Sequence, residues 1–456
     1  MRLNILKLNH YDQPDAIGPR THEGAPAKVL TAEQALRRSV LSCMLWENEF
    51  YEDGAEIAAC IRSLIPQVAA ERVAALAIEA RERMKLRHVP LLLVREMARY
   101  ASHRALVAET LSRVIQRADE LAEFLAIYWA DGKQPLSGQV KKGLASAFAK
   151  FDEYALAKYD RTGSVRLRDV LFLSHAKPLD AAQAALWKRL AANELVTPDT
   201  WEVALSAAGR AEGASKCEVW GRLLAERRLG ALALLRNLRN LHEAGVREDL
   251  ILAGLAAMKT DRVLPFRFLA AARKAPQWEE ALEVAMFRSL ADRAGQLAGH
   301  TVLLVDVSGS MNAPLSKRSE MTRTDAAYGL AILLREIAVK VTIYTFSENA
   351  KWVPARRGMA LRDALDRNQP HGGTYLGAAL AKVEHECLPY DRLVVITDEQ
   401  AHDSVPDPQG RGYMINVAAN RNGVGYGRWT HIDGFSEAVV EYIVELERAE
   451  QQIAPA

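Results

Sequence analysis

The sequence predicts a mainly α-helical region followed by an α/β domain with a doubly wound sheet. From about residue 20 to residue 293, Ala, Leu, Arg and Glu recur at helical spacing with almost no β-branched runs. After residue 299, short apolar runs alternate with helical segments, which is typical of parallel βαβ units. The 456 residues are also too many for one ordinary core. We therefore predict two domains, residues 1–295 and residues 296–456.

The first domain is predicted to contain short helices joined by Pro, Gly, Asp or Asn turns. No exact repeat is visible, so we expect an irregular solenoid of helical pairs, a fold whose curved surfaces suit long ligands. The predicted helices span residues 33–45, 69–84, 91–99, 105–130, 140–158, 181–192, 202–208, 217–227, 229–244, 247–259 and 278–289.

The second domain is predicted to be a parallel sheet with helices on both faces. Its apolar runs lack alternation, as expected for parallel strands that are covered on both sides. The predicted strands span residues 302–306, 340–346, 393–398 and 412–418, and the predicted helices span 326–338, 361–367 and 375–386.

A polar turn follows the first of these strands. Asp306, Ser308 and Ser310 come directly after the apolar run 302–305. Residues two apart in an extended or turning backbone point the same way, and Gly309 permits a tight bend. Ligands also gather beyond the carboxyl ends of parallel strands. The Asp-x-Ser-x-Ser spacing therefore predicts a site for a small cation.

Two later loops supply further oxygen ligands. Thr374 lies at a predicted junction between a loop and a helix, and Asp398 ends a second buried strand. Mg²⁺ prefers six oxygen ligands and retains several waters, so two carboxylates, three hydroxyls and water would suit it, and Mn²⁺ would also fit. The predicted cofactor is a divalent metal ion, Mg²⁺ in the first place.

Catalysis by Asp306 is a competing interpretation. Phosphatases of the haloacid dehalogenase type also carry an aspartate at the end of the first strand, but they need a second carboxylate two residues later as the general acid. Ser308 takes that position here. We therefore expect a docking site and not an enzyme. Arg318 and Arg323, which lie beside the metal loop, are interpreted as solvated loop charges, with an anionic partner as the alternative.

A basic segment lies between residues 133 and 177. The apolar residues of 140–151 fall on one helical face, so the lysines of this run are expected in solvent. Clustered cations bind the phosphates of nucleic acid, whereas the alternative is that exposed lysines only keep the protein soluble. The cations of the segment include Lys141, Lys142, Lys150, Lys158, Arg161, Arg166, Arg168, His175 and Lys177.

Composition excludes several classes of protein. An apolar content of 49% and a charged content of 25% are those of a globular protein, and no apolar run reaches the length of a membrane span. The N-terminal run is broken by Asn4 and Lys7, so we expect no secretory signal and a cytoplasmic location. The four cysteines form no C-x-x-C pair, which argues against a disulfide framework or a zinc site.

The combined features resemble known families. A helical array before an α/β domain, with the segments Lys158-Tyr159 and 168–178, resembles the TROVE-module proteins of the Ro autoantigen family and their bacterial relatives. The ending 429–437 is similar to that family's last strand and helix. The oxygen ligands match all five positions of the metal-ion-dependent adhesion site of von Willebrand factor A domains, namely Asp306, Ser308, Ser310, Thr374 and Asp398.

This resemblance implies a ring of HEAT-like helical repeats closed by a C-terminal von Willebrand factor A-type domain. It also implies binding of small noncoding Y RNA on the outer surface and of single-stranded ends of misfolded RNA in a central hole. An exoribonuclease such as polynucleotide phosphorylase would be a partner, and a ring closed within one chain would favour a monomer. The family's Y RNA contacts match Lys158 and His175, and Arg161 is our choice for a further arginine of that site.

The sequence thus predicts an RNA-binding scaffold for noncoding RNA surveillance. The leading alternative is a metal-dependent protein adhesion or assembly subunit without a role in RNA binding. The predicted RNA-binding residues are Lys141, Lys142, Lys158, Arg161, Arg168, His175 and Lys177.

Overall fold

In the computed structural model, short helices occupy most of the described residues between 32 and 290, and a six-stranded sheet with its helices follows. Two units emerge, one made of residues 32–260 and 271–285, the other of residues 261–270 and the chain from 286 onward. The structure describes residues 31–42, 55–83, 86–160, 163, 165–196, 198, 200–208, 215–261, 263, 265–315, 321–418, 424–425, 427–433, 439–440, 443–444 and 447.

The helical part confirms the prediction of short helices. Within the described ranges, no helix is long and apolar enough to cross a bilayer. The helices are α1 Ala32–Ser42, α2 Ala55–Leu64, α3 Ala70–Glu82, α4 His88–Met97, α5 Arg104–Val114, α6 Ala118–Tyr128, α7 Gly138–Phe148, α8 Glu153–Tyr159, α9 Leu167–Ser174, α10 Ala181–Ala192, α11 Trp201–Ala208, α12 Lys216–Ala225, α13 Ala231–Glu243, α14 Glu248–Ala257, α15 Pro265–Lys274 and α16 Glu279–Leu290.

The first ten helices pack in two rows. Helices α1, α3, α5, α7 and α9 each contact the next member of their own row, and so do α2, α4, α6, α8 and α10. Contacts between α3 and α4 and between α6 and α7 join the rows. This is the stacking of helical pairs that the sequence predicts, because each amphipathic helix buries its apolar stripe between two neighbours.

The run 140–151 shows how the sequence produces this packing. Its predicted apolar face is buried, with Val140, Leu144 and Phe148 inaccessible to solvent. Gly143 lies on the same side, and a Cβ there would come within 2.9 Å of the Ala108 carbonyl oxygen. A residue without a side chain is therefore required where α7 approaches α5 this closely.

Two segments predicted as single helices are broken in the structure. The segment 105–130 is interrupted after Val114, and α6 restarts with Glu120 accepting hydrogen bonds from the amides of Gln116 and Arg117. The segment 140–158 is interrupted after Phe148, and the Asp152 side chain caps α8 by accepting from the Ala155 amide at 2.8 Å. In both cases a carboxylate satisfies the free amides of a helix start, a local signal that the long apolar periodicity concealed.

The sheet has the order β3-β2-β1-β4-β5-β6, and all neighbours are parallel except β2 and β3. The prediction of a parallel sheet is thus confirmed, whereas the short edge strand β3 was not predicted. The strands are β1 Leu297–Asp306, β2 Ala338–Phe346, β3 Ala350–Trp352, β4 Arg392–Thr397, β5 Gly412–Asn416 and β6 Thr430–Asp433.

Helices cover the sheet as a doubly wound fold requires. The helices are α17 Arg323–Ile337, α18 Gly358–Asp366 and α19 Leu376–Cys387. Helix α19 packs Leu376, Leu380 and Val383 against a core that includes Val302 and Leu304 of β1. Helix α17, buried along most of its length, packs against β1, β2 and β4.

Helix α17 begins three residues earlier than the sequence predicted. Thr322 caps it by accepting from the Asp325 amide, and the Asp325 carboxylate accepts from the Thr322 amide at 2.8 Å. This capping box moves Arg323 from the predicted loop to the first turn of the helix.

We expect Glu120→Ala to lower the free energy of unfolding by about 3 kcal/mol, because it leaves the buried Arg81 guanidinium without its ion-pair partner and two amides of the α6 start without an acceptor. Urea titration of the full chain measures the change. The exposed Glu109→Ala on α5 serves as the control and should leave the midpoint unchanged. Equal midpoints for the two variants would contradict this account.

Candidate functional site

The predicted cation ligands Asp306 and Asp398 lie where the strand order of the sheet reverses between β1 and β4. Strand β1 is flanked by β2 on one side and β4 on the other, so the connections leave the β1/β4 edge in opposite directions. Asp306 is the last residue of β1, and Asp398 directly follows β4. Ligands bind at such switch points because the diverging loops leave a crevice beyond the strand ends.

Asp306 is fully buried and held by two hydrogen bonds. Its Oδ1 accepts from the Ser308 amide at 2.8 Å, and its Oδ2 accepts from the Thr397 hydroxyl at 2.6 Å. The hydroxyl oxygens of Ser308 and Ser310 lie 3.3 Å apart, so the spacing-two prediction is confirmed for these two side chains. The expected role of Gly309 is not confirmed, since this residue begins a short 3₁₀ helix with φ outside the left-handed region.

The other two loops are tied to this turn by backbone contacts. The Gly309 amide donates to the Gly372 carbonyl at 2.9 Å, which holds the loop that carries Thr374 beside the metal turn. The Thr374 amide donates to Nδ1 of His402 at 3.1 Å, and the His402 amide donates to the Thr374 carbonyl at 2.8 Å. Thr374 and Asp398 are both buried, so the structure places all five predicted ligands on these three connected loops.

Arg323 is the residue of this site that the sequence analysis interpreted wrongly. Its side chain is only 20% exposed, and its guanidinium donates to Asp398 Oδ2 at 2.8 Å. It is therefore an ion-pair partner inside the site and not a solvated loop charge. Arg318 lies outside the described residues. The Thr322-x-x-Asp325 capping signal could have placed Arg323 in the helix, but not against Asp398.

The donor set fits a divalent cation. Burial and the nearby Asp398 raise the pKa of Asp306 to about 7, although hydrogen bonds from Ser308 and Thr397 act to lower it. Two buried carboxylates with adjacent hydroxyls thus lack full charge compensation, which a bound cation would supply. Among the described residues no group of three or more His, Cys, Asp and Glu could hold a metal, so zinc-type coordination finds no support there.

We expect millimolar Mg²⁺ or Mn²⁺ to raise the melting temperature of the full chain, because an ion that binds only the folded state stabilises it. Asp306→Asn, which keeps the shape but removes the charge, should abolish this increase. Differential scanning calorimetry with and without a chelator measures it. As a control, Asp363→Asn on α18 changes a half-exposed carboxylate of the same domain and should respond to metal as the wild type does. A metal response retained in Asp306→Asn would contradict the assignment.

A second candidate site lies on helices α7 to α9. Lys141 on α7 donates from Nζ to Nε2 of His175 at 3.3 Å, and α7 packs directly against α9. His175 ends α9 in the left-handed region, with φ 54°, which turns its side chain out to solvent. The histidine is thus exposed and not part of the core. Among the described residues no carboxylate forms an ion pair with either side chain.

Lys158 lies in the last turn of α8, the helix between α7 and α9 in the chain. Its Nζ is 5.8 Å from the ring centroid of Tyr154 and 5.6 Å from that of Tyr159, and Arg117 lies over the Tyr159 ring at 4.8 Å. Asp160 and Arg166 form a 2.8 Å ion pair that ties the end of α8 to the start of α9. This ion pair neutralises the Arg166 guanidinium. Among the described residues, no carboxylate forms an ion pair with the Lys158 ammonium.

The remaining predicted cations differ in their availability. Lys142 and Lys177 are exposed, and Arg168 lies 4.0 Å from its neighbour Asp169. Arg161 lies outside the described residues. Lys150 is exposed, as expected, but its Nζ donates to the carbonyls of Ser112 and Ile115 at the end of α5.

Sequence reasoning missed the aromatic part of this surface. Phe172 is 63% exposed and Tyr154 is 56% exposed. Aromatic side chains that pack between helices are usually buried. Phe172 is three residues before His175, and its carbonyl accepts from the His175 amide. We call Lys141, Lys142, Tyr154, Lys158, Phe172, His175 and Lys177 the α7–α9 surface.

Comparisons with known proteins agree with both units. A profile of the TROVE domain matches residues 178–289, and a profile of the von Willebrand factor type A domain matches residues 301–400. The TROVE match begins one residue after Lys177, so the α7–α9 surface lies just outside it. No curated protein matches the chain.

A solved structure shares the fold. The crystal structure of the Ro (Rsr) protein of Deinococcus radiodurans superposes with a TM-score of 0.60 at 20% identity, covering 92% of this chain and all of that one. At this level of identity the similarity establishes the fold and no more. It confirms the architecture expected from the sequence, a helical array followed by an α/β domain. The chain therefore combines a TROVE domain with a C-terminal von Willebrand factor type A domain in the fold of a Ro protein.

Proposed function

We propose that this protein binds noncoding RNA on the α7–α9 surface. The supporting observation is the contact between Lys141 and His175, which places two basic side chains together without a carboxylate partner among the described residues. Clustered positive charge attracts anions and raises their local concentration. Phosphates of a polynucleotide are such anions, and binding them releases counterions.

The distribution of the cations suits a polymer and not a single small anion. Lys141 and Lys142 lie on α7, Lys158 lies on α8, and Lys177 follows α9. Cations on separate helices can each contact a different phosphate of one strand, and each such contact releases counterions. They would orient the backbone, with little contribution to sequence discrimination.

The exposed aromatic residues favour RNA with unpaired bases. Tyr154 presents its ring beside Lys158, the Phe172 ring is exposed, and bases stack on such rings irrespective of sequence. In double-stranded RNA the bases are already stacked on one another, so loops and single-stranded ends would use these rings best. The proposed ligand is thus a structured noncoding RNA with unpaired segments.

The finer parts of the proposal rest on the resemblance to the Ro family. They comprise Y RNA as the ligand, single-stranded ends of misfolded RNA in a central hole, and cooperation with an exoribonuclease. A non-catalytic scaffold in the cytoplasm, closed into a ring as a monomer, completes this proposal. Crosslinking in native cells, followed by sequencing of the bound RNA, tests it directly, since one dominant small RNA is expected and a yield equal to background would contradict it.

A metal-dependent docking function is the second candidate. The buried carboxylates and the hydroxyls at the β1/β4 switch point support it, because such a site leaves a cation open to an acidic group of a partner protein. The two candidates differ in what they require. RNA binding should survive Asp306→Ala and chelation, whereas docking of a protein at the metal should not.

We expect Lys158→Glu to weaken binding of a hairpin RNA with a single-stranded tail by on the order of tenfold near physiological salt, and to lower the salt slope by about one. The physical reason is the loss of one phosphate contact and the gain of a repulsive charge. Fluorescence anisotropy over a range of salt concentrations measures both quantities. Lys216→Glu makes the same charge change at an exposed position of α12 and should have little effect. If both variants weaken binding equally, the site is elsewhere.

We expect Phe172→Ala to weaken binding of the tailed hairpin by about tenfold, because loss of base stacking costs about 1–3 kcal/mol per base. The same variant should bind a blunt RNA duplex as the wild type does, since paired bases cannot reach the ring. Leu232→Ala removes a side chain that is 45% exposed on α13 and provides the matched control. An equal loss of affinity for duplex and tailed RNA would contradict a stacking role for Phe172.

A further inference from the structure

Arg323 places a positive charge inside the candidate metal centre. Its guanidinium donates to Asp398 Oδ2 at 2.8 Å, and the same nitrogen lies 3.4 Å from the carbonyl oxygen of Ser310. Both acceptors belong to residues of the predicted ligand set. The arginine therefore contacts two of the three loops that converge at the switch point.

The backbone holds Arg323 at this position. Its amide donates to the Ala313 carbonyl at 3.0 Å, directly after the 3₁₀ helix Gly309–Asn312. The capping box of Thr322 and Asp325 fixes the start of α17 around it. The base of the side chain is thus anchored beside the site, while the guanidinium at its end is free to change partner by rotation about the side-chain bonds.

The charges of the site determine how the contact between Arg323 and Asp398 affects metal binding. Asp306 and Asp398 are the two carboxylates of the donor set, both fully buried, and Arg323 neutralises one of them. A divalent cation that enters would find one unit of negative charge already compensated. A cation and a guanidinium held against the same buried carboxylate also repel each other, and this repulsion is strong where water is excluded.

We propose that Arg323 acts as an internal cation that competes with a divalent metal for Asp398. Metal binding breaks the ion pair between Arg323 and Asp398, and loss of the metal restores it. The arginine thus sets the metal affinity of the site, and it keeps the buried carboxylate compensated when no metal is bound. This proposal depends on the candidate metal centre and is independent of RNA binding.

The first test compares Mn²⁺ binding by the full-length wild type and Arg323→Gln, measured by electron paramagnetic resonance of free Mn²⁺. Removal of a competing charge at a partly buried ion pair should tighten Mn²⁺ binding by on the order of tenfold. Arg323→Lys keeps the charge and should remain within a few-fold of the wild type. Arg335→Gln makes the same substitution in the last turn of α17 and should not differ from the wild type.

The outcomes distinguish competition by Arg323 from the existence of the metal centre. Equal or weaker Mn²⁺ binding by Arg323→Gln overturns competition, since Arg323 would then be neutral or would help to position Asp398. Absence of Mn²⁺ binding in the wild type and in every variant overturns the metal centre and this proposal with it.

A second measurement uses the wild type, in case Arg323→Gln does not fold. Arginine side chains labelled with ¹⁵N give an Nε–H signal for Arg323, assigned by its absence in Arg323→Lys. Saturating Mg²⁺ should shift this signal, while the Arg335 signal stays in place. An Arg323 signal that does not change at saturating Mg²⁺ overturns the proposal.

Discussion

The parallel pairing of β1 with β4 is the constraint on which the candidate metal centre depends. It aligns Val305 with Ile396, so that Asp306, which ends β1, and Asp398, which follows β4, lie at the same edge of the sheet. The burial of β4 and of residues 301–306 of β1 then removes the water that would otherwise solvate these charges. Every other feature of the centre, including the Thr397 hydroxyl, the adjacent serines and Arg323, compensates for this placement.

The two candidate sites handle charge in opposite ways. At the switch point, negative charge is buried and the protein supplies hydrogen bonds and one guanidinium to offset it. On the α7–α9 surface, positive charge is exposed beside aromatic rings, and the nearby acids are engaged elsewhere, as in the pairs of Asp160 with Arg166 and Glu153 with Arg189. The first arrangement suits a small cation in a defined geometry, and the second suits a flexible polyanion.

Local patterns made the fold and the contact between Ser308 and Ser310 predictable, and long-range contacts account for what was missed. Apolar periodicity located the helices and strands, and a spacing of two residues brought Ser308 and Ser310 together. The breaks at residues 115–117 and 149–152 were overlooked because periodicity continues across them. The contact of Arg323 with Asp398 spans 75 residues, and no local pattern encodes it. The exposure of Phe172 likewise depends on which neighbours leave it uncovered, and this is known only after the helices are packed.

Two-row stacking of the first helices also determines how local unfolding of one helix affects the others. Each helix touches mainly the adjacent members of its own row and of the facing row, so its stability is close to a sum of nearest-neighbour terms. Opening of α1 and α2 would thus expose α3 and α4 while α7 and α9 stay packed against each other. The terminal helices of such an array can therefore be deleted or changed in sequence while the packing of the central helices is retained.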